Sequence, residues 1–76
     1  MNKTKRKRLG DIYAKITELQ ELLEEIKDEE QEALDNLPES LQGTANALQM
    51  ENAIASLDEA LENLGFAADN IEEVTK

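Results

Sequence analysis

Eighteen carboxylates and eight basic side chains carry nearly all the reactive chemistry in this chain of 76 residues. The densest group is Glu24-Glu25-Ile26-Lys27-Asp28-Glu29-Glu30-Gln31-Glu32. Paired carboxylates can share a proton for acid–base work or hold a divalent cation. Neither use fits here. The run has no loop geometry for calcium, and a di-iron bundle needs a Glu-x-x-His motif. Histidine and cysteine are absent, which removes the triad base, the thiol nucleophile and the imidazole metal ligand. No glycine-rich phosphate cradle is visible. The expectation is a protein that is not an enzyme, with no catalytic residue, no cofactor and no metal.

The charges are unevenly placed. Lys3, Lys5, Arg6, Lys7 and Arg8 make residues 1–8 a basic arm, and from Leu9 onward only Lys15, Lys27 and Lys76 oppose the 18 carboxylates. Clustered Lys and Arg displace counterions from phosphate, so weak nucleic-acid binding through the arm is one reading. Against it stand the acidic body and the lack of stacking aromatics, since Tyr13 and Phe66 are the only rings. The arm could instead lie beside Asp69, Glu72 and Glu73, or serve as a solubilising tail. The acidic body suggests a further reading. A rod about 45 Å long, at 1.5 Å per helical residue, could mimic DNA phosphates and inhibit a DNA-handling or defence protein.

The elements that must position these charges read as helices. The start resembles the basic region of a signal peptide, but Asp11, Lys15 and Glu18 interrupt any apolar region after it. No stretch approaches the roughly 20 apolar residues of a membrane span. No membrane association is expected, and the cytoplasm is the expected location. Leu9, Ile12, Ile16, Leu19, Leu23 and Ile26 recur at alternating spacings of 3 and 4, and Glu30, Ala33 and Leu37 continue them. That heptad seam predicts one helix over residues 4–34. Met50, Ile54, Leu57, Leu61, Leu64, Ala68 and Ile71 repeat the pattern and predict a second helix over residues 44–75.

Residues 35–43 should form the turn. Pro38 ends the first helix; Ser40 or Thr44 can cap the second, with Thr44 favoured behind Gly43. Leu37 and Leu41 are expected to fold inward. The fold class is therefore all-α, an antiparallel, coiled-coil-like two-helix hairpin in one domain over residues 9–76. A register in which facing residue numbers sum to 80 centres it on the turn. Glu30 is the one charged residue on the predicted seam; it either reaches water near Lys27 or sets register, as buried polar residues do in coiled coils. Gly65 costs a helix interior about 1 kcal/mol. The second helix either continues through it, leaving Phe66 outside as a candidate partner contact, or ends at Leu64 with Gly65 as a left-handed cap.

A lone hairpin buries one stripe per helix, and at this size the gain from burial barely exceeds the entropy of ordering. Ala53, Ala60, Ala67 and Val74 recur every seven residues beside the second seam, and Tyr13, Leu22 and Leu34 flank the first. These seven are the candidate self-association residues. Two hairpins packed as a four-helix bundle would cover them, and a two-fold dimer is the commonest closed form.

The turn wording is distinctive. Residues Asp28-Glu29-Glu30-Gln31-Glu32-Ala33-Leu34-Asp35-Asn36-Leu37-Pro38-Glu39-Ser40-Leu41-Gln42 resemble small uncharacterised helical proteins of Gram-positive phages and prophages, with an EEQEA-x-DN-[LM]-PE-x-LQ turn. Their heptads are similar to Ala53-Ile54-Ala55-Ser56-Leu57-Asp58-Glu59 and Ala60-Leu61-Glu62-Asn63-Leu64. Gly65-Phe66 departs from the charged continuation usual there. The resemblance implies a phage accessory protein of unknown activity in the cytoplasm of a bacterial host, and it carries over no functional residue. The reading that results is a non-enzymatic, self-associating protein–protein interaction module whose partners are itself and possible host proteins.

Overall fold

Asn2 begins the first helix by accepting a hydrogen bond from the Lys5 amide at 2.8 Å, which satisfies one of the free donors at a helix start. In a computed structural model that describes all 76 residues, this helix, α1, runs Lys3–Asp35. Lys3, Lys5, Arg6, Lys7 and Arg8 are thus the first two turns of α1, continuous with the body. The helix stops at Asp35 because Pro38 lies just beyond. A 3-10 turn spans Glu39–Leu41, and Gly43 takes the left-handed region at φ 77°, where L side chains are strained.

The second helix, α2, runs Ala45–Thr75. Thr44 caps it: its hydroxyl donates to the Leu41 carbonyl at 2.7 Å and accepts from the Ala47 amide at 3.3 Å. Gly65 lies inside α2 with no left-handed φ, so the helix is continuous through it. A Cβ at that position would meet Gln20 Nε2 of α1 at 3.6 Å, ordinary van der Waals contact.

α1 and α2 pack side by side as a hairpin, a rod of 60 × 14 × 13 Å. It exceeds the expected 45 Å because α1, 33 residues long, measures about 50 Å by itself and the turn and chain ends add the rest. Three residues are buried, Ala47, Ile54 and Ala68, and all belong to α2. No helix is long and apolar enough to cross a membrane.

The seam on α2 follows the sequence: Ala47, Met50, Ile54, Leu57, Leu61, Leu64, Ala68 and Ile71 are all buried or half-buried. On α1 it does not. Leu9, Ile16, Leu23, Glu30 and Leu37 are half-buried as expected, but their companions are Tyr13, Gln20, Lys27 and Leu34. Ile12, Leu19 and Ile26, predicted to complete the seam, remain 44%, 50% and 52% exposed, and Ala33 is exposed too. α1 is rotated by about 50° at 100° per residue, the spacing between neighbouring heptad lines. Contacts across the helices explain the rotation. Lys27 Nζ reaches Asp58 at 2.6 Å, and Gln20 lies over the gap that Gly65 leaves. Both pairs sum to 85 and not to the expected 80, an offset of five residues toward the C-terminus of α2. Leu37 turns inward, whereas Leu41 stays exposed.

Candidate interaction surface

Lys27 and Gln20 of α1, with Asp58 and Gly65 of α2, close one side of the hairpin. On the opposite side each helix leaves its other flank open. On α1 that flank is Ile12, Leu19 and Ile26 at every seventh position, with Leu22 beside them at 50% exposure. On α2 it is Ala53, Ala60, Ala67 and Val74, also at every seventh position. A heptad repeat keeps each set on one line of its helix. The two lines therefore share one face of the rod, which they make apolar over about half its 60 Å length at 1.5 Å per residue.

The seven candidate self-association residues divide accordingly. Leu22, Ala53 and Val74 are exposed on this face; Ala60 and Ala67 are half-buried at its inner edge. Tyr13 and Leu34 are half-buried in the α1 line turned toward α2, so they belong to the hairpin's own contact. Ile12, Leu19 and Ile26 take their place on the open face. Phe66, 57% exposed, points away from both the seam and this face and stands alone on the back of α2.

The opposite side is polar and held by ions. Lys27 pairs with Asp58 and, at 3.8 Å, with Glu24. The Asp58 hydrogen bond holds its pKa above the ordinary 10.5, against an opposing effect of burial, with the nearby charges of Asp58, Glu24 and Asp28 adding to the rise. Glu30 is half-buried but pairs with no cation, Lys27 included. Lys27 is thus the charged seam residue that sequence reasoning missed. An aligned opposite charge at Asp58 and a missing side chain opposite Gln20 were the signals that could have found that flank.

The basic start of α1 makes one ion pair, Lys7 with Asp11 at 3.6 Å, and none with Asp69, Glu72 or Glu73. Lys3, Thr4, Arg6 and Lys7 line a shallow open concavity with Thr75 at the end of the rod. Nearer the middle, an acidic concavity is lined by Gln20, Glu21, Glu24, Glu25, Asp28 and Leu61. No group of three or more acidic side chains converges as a metal site would require. Compared with protein-family models, curated proteins and solved structures, the chain matches none.

Proposed function

We propose that this protein is a non-enzymatic, self-associating interaction module in which two hairpins pack as a four-helix bundle. The observation that carries the reading is the apolar face formed by Ile12, Leu19, Leu22 and Ile26 beside Ala53, Ala60, Ala67 and Val74. Burial inside one hairpin is small: no large side chain is fully covered. Two rods docked along their full length, 60 by 14 Å, share a footprint of about 800 Å² per partner, the size of a standard specific interface, with the apolar lines along about half of it. The alanine line lets a second helix approach closely, and the leucines and isoleucines supply the apolar area. The turn wording adds the setting of a phage or prophage accessory protein acting in a bacterial cytoplasm.

Light scattering at micromolar concentration tests the association. The expected mass is twice the 8.5 kDa of one chain, and Ile12→Gln/Leu19→Gln/Ile26→Gln should lower it. A folded wild-type monomer at that concentration would overturn the reading.

The acidic concavity at Gln20–Asp28 favours a second reading, an acidic inhibitor that imitates a phosphate backbone toward a host DNA-handling protein. A pull-down from nuclease-treated bacterial lysate separates the two. An inhibitor captures one DNA-handling protein, and its hold weakens steeply with salt; the first reading returns the protein itself.

A further inference from the structure

Resting on that self-association, we infer that the second copy docks antiparallel, with the basic open end of each hairpin against the acidic turn end of the other. The charge is divided along the rod. Residues 21–59, the turn half, hold twelve carboxylates against Lys27 alone, whereas the remaining residues hold seven basic side chains against six carboxylates. Packed helices lie 8–10 Å apart, about one Debye length at physiological salt. At that spacing charges on facing copies still interact. A parallel dimer, α1 on the partner's α2, would set both acidic turn halves against each other. Antiparallel docking lays α1 on the partner's α1, so the five cations of residues 3–8 meet the acidic last turns of that helix at both ends, and one two-fold axis makes the two contacts identical.

Local helix energetics point the same way. Lys3, Lys5 and Arg6 lie in the first turn of α1, where the helix dipole is positive and no acidic residue offsets them. Glu32 and Asp35 lie in its last turn, at the negative end, with no basic residue. Each such charge destabilises an isolated helix by its position. Both ends of α1 are therefore charged against the preference of the helix itself, and a facing copy in antiparallel orientation offsets both.

The apolar spacing fits the same axis. Ile12 and Ile26 lie seven residues either side of Leu19, and Ala53 and Ala67 lie seven either side of Ala60. Rotation about a dyad through Leu19 and Ala60 sets Ile12 on the partner's Ile26. A parallel dimer also packs acceptably, Leu19 over the partner's Ala60, so the charges decide between them.

The chain has no cysteine, which makes labelling clean. Ser40→Cys carries a spin label at the exposed turn, and the distance between labels in the full-length dimer is measured by pulsed electron resonance. Antiparallel docking sets the labels near the 60 Å length of the rod. Parallel docking sets them within about 30 Å, two rods being packed side by side. A dimer with close labels overturns the inference and leaves self-association standing; a wild-type monomer by light scattering overturns both.

Discussion

The same substitution, glycine to alanine, should stabilise the chain at Gly65 and destabilise it at Gly43. Gly65 sits in the interior of α2 with an ordinary helical φ. Its missing Cβ would meet Gln20 Nε2 at 3.6 Å, close enough for favourable contact and too far to displace anything. Replacing it removes the entropic penalty of glycine in a helix, about 1 kcal/mol. For a domain of this size that raises the melting temperature by about 4–8 °C. Gly43 also has open space around it, but its φ of 77° costs an L residue about 1–2 kcal/mol. Gly43→Ala should therefore lower the melting temperature by at least a similar amount. Thermal melts followed by circular dichroism at one fixed protein concentration read both. A Gly65→Ala protein that melts at or below the wild-type temperature would refute the reasoning, because it would mean that α2 ends at Leu64 and that Gly65 is a left-handed cap.

Lys27, whose pKa is raised chiefly by the Asp58 hydrogen bond, contributes stability that is complete below the unfolded lysine value near 10.5 and lost as pH rises through the higher folded value. Melts taken from neutral pH to beyond 11 should lose stability less steeply in Lys27→Met than in the wild type; equal alkaline slopes would refute a role for the pair. Ile54, 8% exposed, is the best-covered large side chain, and Ile54→Ala should cost about 2–5 kcal/mol. Phe66→Ala, on the exposed back of α2, should shift the midpoint of denaturant unfolding far less, and a comparable loss would place Phe66 in a contact that the hairpin lacks.

The turn and α2 were legible because their signals do not compete. Pro38, Gly43 and Thr44 each allow few backbone geometries, and they fall where the first helix ends, the chain reverses and the second begins. On α2 one flank of the seam is apolar and the other carries Asp58 and Gly65, so hydrophobic spacing picks the correct line. α1 offers two flanks around Leu9, Ile16 and Leu23. Ranking by hydropathy selects Ile12, Leu19 and Ile26, yet the helices turn Gln20 and Lys27 inward, where the ion pair with Asp58 and the space over Gly65 receive them. A pairwise fit between helices is invisible in the periodicity of either helix alone. The candidate surface is half legible for the same reason: the alanine line shows in the heptad spacing, while hydropathy assigns its larger companions to the interior.

The hairpin has a single covalent hinge, so distance along the rod is also distance along the chain. Asp35 and Ala45 are ten residues apart, whereas Lys3 and Thr75 are separated by 72. Closing the longer loop costs about 1.7 kcal/mol more in chain entropy than closing the shorter. Helix pairing therefore seeds at the turn and advances toward the termini, much as a zip closes from its fixed end. The cations of Lys3–Arg8 take their places last in folding and are the first released by thermal opening. Amide exchange in the native state should record that order as protection that declines from the hinge to the open end.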